Sequence, residues 1–574
     1  MKKNYWMLLF FVVAFYLLPI IFRPLMTPDE FRYAEIPREM IERADFITPK
    51  LLDVRYFEKT PMGYWFTAAS FKIFGQNAFA LRLIPVLGAV GGAFLLWWWC
   101  RRRKYASETA LNAAFLYLAG GMTWLLGTFA TLDSLFAMWT TATLVCFALI
   151  MESRDLKERL LLMVAAGIAL GCGFLTKGFL AYALPGVSVA FYLLWQKRWK
   201  EFIILPWIPL AVSALVIAPW AIAIHKAEPD YWHYFVVYEH FQRFTDSASG
   251  QHTAPFWLLF PFLIAGLFPA AFPVLTGMAR LKKNCFQELW NSPEARFALT
   301  SLVLPVLFLS ISDGKLPTYV LPCFAPAAML GALVLDKTDP DKCPPKMRQL
   351  TTVTSLIFIV IGSAALLGGL FYLLWGTGFV PTLSLQIAVW APFLTTAALG
   401  MIISGTIFFI YRRSKLPEPG SYFMLYAVAM MICVWFLPGF TAYYKMPEYE
   451  LLDIASQLSA EKIDRPRIMT YPKIVHAAAW CFKDSSIQLI NSAGEMEYGH
   501  KSAVAHGERP LVLSYKELQE KISAPDRKEG ILIILRKKDV ERLNKYIPAG
   551  RQFTTAGELC AFYHPAKQQG GKKK

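Results

Sequence analysis

The sequence predicts an α-helical integral membrane protein of about 13 transmembrane helices, followed by a small soluble α/β domain. Three observations predict it. Of 574 residues, 56% are apolar and only 17% are charged, where a soluble domain carries about 25% charged residues; the mean hydropathy is +0.40. The apolar residues gather into runs of about 18–25, each long enough as a helix to cross roughly 30 Å of hydrocarbon. Past residue 440 the runs give way to short β-like segments alternating with helical ones.

Met1-Lys2-Lys3-Asn4 and the apolar run Tyr5–Phe22 have the look of a signal peptide, but no small-x-small cleavage site follows; the chain continues as Arg23-Pro24-Leu25. An uncleaved first span with a cytoplasmic N-terminus is expected. Residues 23–78 form a polar external loop with amphipathic pieces at Phe31–Arg43 and Gly63–Phe74. Further spans are expected at 79–99, 108–127, 131–151, 159–175, 178–195, 202–224, 256–277, 297–311, 319–335, 350–375, 385–411 and 420–439, with a second external loop at 225–255. The basic clusters Arg101–Lys104, Arg154/Lys157/Arg159, Lys197/Arg198/Lys200, Arg280/Lys282/Lys283, Lys342/Lys346/Arg348 and Arg412/Arg413/Lys415 then all share the side of Lys2 and Lys3. That is the cytoplasmic side by the positive-inside rule, and an odd number of spans leaves the C-terminal segment outside.

The expected division is a membrane domain over 1–440 and a soluble external domain over 441–574. Strands are expected at Arg467–Tyr471, Ser486–Ile490, Pro510–Ser514, Gly530–Leu535 and Leu559–Tyr563, with helices at Tyr515–Ile522 and Lys538–Tyr546. The tail Gln568–Lys574 is expected to be disordered, and no repeat of 20–50 residues is evident.

The formal charge of +17 does not point to nucleic acid, because the cations sit at the ends of apolar runs, where membrane lipids and topology account for them. The nine cysteines show no CxxC or metal-ligand spacing. Cys481 and Cys560, the two in the external domain, could pair in an oxidising compartment, but sequence cannot give their separation.

The chemistry-bearing residues gather outside the spans. Thr27-Pro28-Asp29-Glu30-Phe31-Arg32-Tyr33-Ala34-Glu35 places paired carboxylates where a helix begins; the plain alternative is a helix cap. Arg55-Tyr56-Phe57-Glu58-Lys59-Thr60-Pro61 combines an aromatic, an acid and a base, or is a solvated loop with an incidental ion pair. Asp133 lies at a span boundary and could cap a helix. Lys177 between two apolar runs could be a snorkelling interface lysine, Lys315 an ordinary loop lysine, and Arg243 a helix partner of Glu239. His233, His240 and His252 with Glu239 could hold a divalent metal, but no HxxxH or HExxH spacing supports it, so no required cofactor is expected.

These motifs, with Gly314-Lys315-Leu316-Pro317-Thr318-Tyr319, Thr176-Lys177-Gly178-Phe179-Leu180, Trp232-His233-Tyr234-Phe235, Glu239–Phe244, His252–Trp257 and Gly494-Glu495-Met496-Glu497-Tyr498-Gly499, resemble the lipid A aminoarabinose transferases. These are membrane glycosyltransferases of the GT-C fold, related to protein O-mannosyltransferases. The resemblance covers nearly the whole chain. It departs at Glu58-Lys59-Thr60-Pro61, where the family has Glu-Lys-Pro, and in a longer basic tail; neither departure removes a charged position.

The resemblance implies transfer of 4-amino-4-deoxy-L-arabinose from undecaprenyl phosphate to lipid A phosphates at the periplasmic face of the bacterial inner membrane. That transfer lowers the negative charge of lipopolysaccharide and gives resistance to polymyxin and cationic peptides. A phosphate leaving group needs cations more than a general acid, a role that suits Lys59 and Arg243, with Lys177 and Lys315 as further phosphate contacts. The acceptor phosphate is already ionised, so Asp29, Glu58 and Asp133 are expected to bind the cationic aminosugar, Asp29 nearest the reacting centre. Arg32, Tyr56 and Tyr319 complete the expected substrate-binding set; the two tyrosines could instead be interface-belt aromatics. Two other classes remain: a related GT-C transferase with another sugar or a hydroxyl acceptor, and a transporter or flippase, which should carry ionisable residues at mid-span.

Overall fold

The structure is a computed structural model. It describes Trp6 and residues 10–242, 254–337 and 447–567, except for 269, 279, 280, 526, 544, 545, 547–549 and 556, with scattered positions between 353 and 409. The chain divides into two compact units: Met1–Arg23, Arg82–Ile222 and Trp232–Tyr443 in the first, and Pro24–Leu81, Ala223–Tyr231 and Tyr444–Lys574 in the second. The loop 23–78, which the sequence reading attached to the membrane part, thus falls almost wholly in the unit that holds the C-terminal segment.

The first unit is helical. Among the described residues, six helices are long and apolar enough to cross a membrane: Ala78–Arg102, Asp133–Ile150, Leu156–Lys177, Trp199–Ala227, Pro293–Ile311 and Pro317–Asp336. Shorter apolar helices occupy Phe10–Ile21, Leu180–Trp195 and Phe256–Leu267. The expected spans as far as 335 are therefore helical where the sequence predicts them, apart from interruptions in those at 108–127 and 256–277. Those at 350–375, 385–411 and 420–439 lie wholly or mostly outside the described residues.

Packing in this unit uses small residues, as expected where lipid tails are as apolar as leucine and only close approach favours contact between helices. Cβ atoms on Gly167 and Gly171 would stand 2.6 Å and 2.7 Å from the Cβ atoms of Val212 and Val216, so these two helices meet through a small-xxx-small groove. Ser134 donates to the Pro85 carbonyl at 2.7 Å, tying two spans with a buried polar bond.

Two expected spans are broken. Ser107–Leu118 and Gly121–Gly127 replace a single helix over 108–127, and the span at 256–277 is interrupted at Phe268, which follows Leu259–Leu267 in extended conformation. The Gly121 amide donates to the Phe268 carbonyl at 2.9 Å, so each break satisfies the other's backbone in a medium that offers no water. A Cβ at Gly121 would stand 2.7 Å from that carbonyl; only glycine fits.

The second unit is α/β. Strands β1 (Lys50–Leu51) and β2 (Val54–Arg55) form a hairpin after the helix Asp29–Arg43 and before the helix Met62–Phe74. The C-terminal segment builds a six-stranded sheet from β3 (Arg467–Thr470), β4 (Gln488–Ile490), β5 (Val512–Leu513), β6 (Ile531–Arg536), β7 (Arg551–Thr554) and β8 (Leu559–His564), in the order β5-β4-β3-β6-β8-β7. The first four pair in parallel and β8 and β7 antiparallel. Met469, Ile490, Leu513, Leu518, Ile533 and Leu535 fill its core. The five expected strands are present. The edge strand β7 was not anticipated because only Phe553 of its four residues is buried, which leaves no alternating apolar pattern. Cys481 and Cys560 are both free thiols.

Candidate active site

The candidate residues of the second unit cluster around Arg32. Asp29 is the first residue of its helix and does not cap it, since no side-chain cap bond forms. Three residues apart on one helical face, Asp29 and Arg32 are neighbours, and the guanidinium bonds to the Asp29 carboxylate. Its other branch bonds to Glu495, in the loop after β4, and Glu495 is 3.1 Å from His476 Nε2.

Burial alone would raise the Glu495 carboxyl, but the His476 bond and the Arg32 charge outweigh it and hold it at about 2. Glu495 is therefore an anion throughout the physiological range, and Arg32 is clamped between two carboxylates. Asp29 keeps 40% of its side chain exposed against 22% for Glu495, so of the two it is the one open to a ligand.

The segment after β2 supplies the rest. Tyr56 is buried and its hydroxyl donates to Glu58 Oε2 at 3.0 Å. Burial and the Glu58 charge push its phenol well above the usual range, so it remains a neutral donor. Lys59 Nζ donates to the Glu58 carbonyl at 2.9 Å. Arg32 also lies 5.4 Å from the Tyr33 ring centroid, and Tyr33 stacks on Tyr64 at 6.1 Å. The cluster is thus an aromatic-walled set of alternating charges, suited to a polar ligand that carries both signs.

The first unit brings together a second set. Asp133 opens the helix Asp133–Ile150, again without capping it, and Lys177 ends the helix Leu156–Lys177. The two form an ion pair at 2.5 Å, each 13% exposed. The Lys177 ammonium also stands 4.7 Å from the Tyr319 ring centroid and 5.7 Å from that of Phe136. Lys177 is therefore held at a fixed place by a carboxylate and two rings, not snorkelling free. Lys315 is 3% exposed and donates to the Ser310 carbonyl at 2.9 Å, far from an ordinary loop lysine.

Arg243 lies outside the described residues, as do His252 and the side chain of His240. Among the described residues no group of three His, Cys, Asp or Glu side chains could hold a metal.

Glu495 and His476 belong to the cluster in addition to the residues expected from sequence. Glu495 stands within the Gly494–Gly499 motif, where Gly494 takes a positive φ of 59° and turns the chain back after β4. That turn residue beside an acid was the available signal; His476, on an alanine-rich helix, carried none.

A multi-pass helical chain with an α/β unit and carboxylate–cation clusters fits a class, the membrane glycosyltransferases, and its similarity to known proteins narrows that class to a family. Residues 4–235 match the family of dolichyl-phosphate-mannose-protein mannosyltransferases. An undecaprenyl phosphate-alpha-4-amino-4-deoxy-L-arabinose arabinosyl transferase of Shewanella sediminis is 33% identical over 92% of this chain and 93% of its own length. One from Aeromonas salmonicida is 33% identical over 99% and 100%, and one from Pectobacterium atrosepticum is 43% identical over 60% and 61%. The crystal structure of ArnT from Cupriavidus metallidurans bound to undecaprenyl phosphate superposes with a TM-score of 0.77 at 20% identity, covering 98% of both chains. The fold is GT-C. The chain belongs to the family of undecaprenyl phosphate-alpha-4-amino-4-deoxy-L-arabinose arabinosyl transferases, which are glycosyltransferases.

Proposed function

We propose that the protein transfers 4-amino-4-deoxy-L-arabinose from undecaprenyl phosphate to phosphate groups of lipid A, at the periplasmic face of a bacterial inner membrane. The observation that carries this reading is that each unit holds a paired charge of the same kind: Asp29 with Arg32 in one, Asp133 with Lys177 in the other, each cation held by a carboxylate and a ring face. Such groups are preorganised for a zwitterionic donor, an aminosugar joined to a lipid phosphate.

In the reaction, an oxygen of the acceptor phosphate attacks the anomeric carbon, and the electrons of the breaking carbon–oxygen bond pass to the undecaprenyl phosphate. The nucleophile has a second pKa near 6 and is largely ionised at neutral pH, so no strong base is needed. Lys59 and Arg243 offset the charge developing on the leaving phosphate, with Lys177 and Lys315 as further phosphate contacts. Arg32, Tyr56 and Glu58 bind and orient the sugar with Asp29, and Tyr319 supplies a ring face to the substrate. No metal or other cofactor is required. Transfer caps an anionic phosphate with an amine, which reduces the attraction of lipopolysaccharide for polymyxin and other cationic peptides.

A second reading, with a hydroxyl acceptor and Asp29 as general base, is favoured only by the match to the protein mannosyltransferase family. Mass spectrometry of lipid A from cells with and without the gene separates them. A pentosamine increment that depends on the gene is expected; its absence in expressing cells overturns the lipid A assignment. Orientation has its own test. Single cysteines near residues 30 and 500 should react with an impermeant label from the periplasm, and those near 102 and 283 only after the membrane is opened. Labelling at 500 from the cytoplasmic side alone would break the 13-span arrangement.

A further inference from the structure

The hairpin that precedes Tyr56 is built in a way its sequence does not favour. A two-residue loop, Leu52-Asp53, joins β1 to β2, with Lys50 paired to Arg55 and Leu51 to Val54. Both loop residues have positive φ, 57° and 66°, the geometry that tight hairpins require and that Asn-Gly normally supplies. A buried leucine in the left-handed region is strained, and such strain persists only where the surroundings over-determine it.

Among the surroundings, one side chain meets both amides of the turn. Glu39, 1% exposed on the helix Asp29–Arg43, accepts the Leu52 amide at 2.6 Å and the Asp53 amide at 3.3 Å. Arg43 bonds to the same carboxylate at 2.8 Å and also to Asp53. Beyond the turn, the Tyr56 amide donates to the Pro49 carbonyl at 2.9 Å, which carries the hairpin pairing into the segment Tyr56–Lys59. Arg55 is fixed by Glu228 at 2.8 Å and Glu508 at 2.9 Å. A Cβ at Gly499 would stand 2.4 Å from the Arg55 carbonyl, so the strand has a backing surface with no slack.

We propose that Glu39 is a positioning residue for transfer: by accepting both amides of the strained turn it sets the hairpin, and through it the placement of Tyr56, Glu58 and Lys59. The proposal rests on the reading of Lys59 as a cation for the donor phosphate. Glu39 touches no substrate; it acts through the backbone of the turn.

The test uses purified full-length protein, undecaprenyl phosphate-linked aminoarabinose as donor and lipid A as acceptor, with activity expressed per monodisperse molecule. Glu39→Leu should lower kcat/KM for the donor about 100-fold, the cost of roughly 1 Å of misplacement, and leave the KM for lipid A unchanged. Hydrogen exchange at the Leu52 and Asp53 amides should accelerate in the same variant. Glu39→Gln retains an oxygen for the Leu52 amide and should lose less than about tenfold. Adding Asp53→Gly to Glu39→Leu supplies a residue at ease in the left-handed region and should recover about tenfold or more.

Parent-level activity in Glu39→Leu overturns the proposal. So does a loss that neither glutamine nor Asp53→Gly relieves, because a merely structural carboxylate would not be rescued through the turn. Failure of the underlying reading is distinguishable: Lys59→Ala would then transfer sugar as well as the parent, while the Leu52 and Asp53 amides still lost protection in Glu39→Leu.

Discussion

Lys59→Ala should lower sugar transfer by about 100–1,000-fold, equivalent to roughly 3–4 kcal/mol, as for loss of one donor aimed at developing negative charge. The side chain is half-buried and its ammonium is already anchored on the Glu58 carbonyl at 2.9 Å, so the free energy of orienting it is met before substrate arrives. On the proposed role, removing it takes away a charge that the leaving phosphate would feel more strongly as the carbon–oxygen bond breaks. The loss should therefore appear in kcat as well as in kcat/KM. Lys59→Arg, which retains the charge but not the point geometry, should fall between the two. The measurement is transfer by purified, monodisperse variants, with Arg243→Ala assayed alongside. Near-parental rates for either alanine variant would remove that residue from the mechanism.

Asp29→Asn is expected to impair transfer less than Lys59→Ala, and here the donor decides what the loss means. Asp29 is the open carboxylate of its cluster, 40% exposed and paired with Arg32. Asp133, by contrast, already compensates Lys177 at 2.5 Å. If Asp29 pairs with the sugar's ammonium, Asp29→Asn should raise the KM for the aminosugar donor and lose about tenfold or more in kcat/KM, the size of a charge-assisted bond. With a donor lacking the amine, parent and variant should become nearly equal.

A general base would behave differently. The variant would then fail with every donor, with or without the amine. Glu58→Gln should follow Asp29→Asn in its dependence on the amine. Asp133→Asn should lower activity with both donors alike, because its effect passes through Lys177. Equal defects of Asp29→Asn and Glu58→Gln with and without the amine would end the amine-recognition account.

How much of this was legible beforehand differs between the two units. The spans could be placed because about 20 apolar residues in a row have one solution in lipid. The breaks at Gly120 and Phe268 could not, because the Gly121–Phe268 bond that makes them tolerable joins segments almost 150 residues apart. In the second unit β6 and β8 announced themselves as apolar runs, whereas β7, with a single buried residue, is a strand only because β8 lies beside it.

The site shows the same division. The sequence by itself determined which residue types stand outside the spans: Asp29 and Arg32 three apart on a helix, Tyr56, Glu58 and Lys59 in one short segment, Lys177 and Asp133 at span ends. Hydropathy and helical periodicity are local properties, and a local pattern suffices to read them. Only the tertiary structure decided the partners. Asp29 was as readily a helix cap as a ligand until Arg32 was seen to hold it, and Lys177 was an interface lysine until Asp133, 44 positions earlier, closed on it at 2.5 Å. Glu495 reaches Arg32 across 463 positions. A charge in a low-dielectric setting is stable only where an opposite charge or a set of dipoles meets it, and which group meets it depends on the packing of distant segments, which no local stretch of sequence specifies.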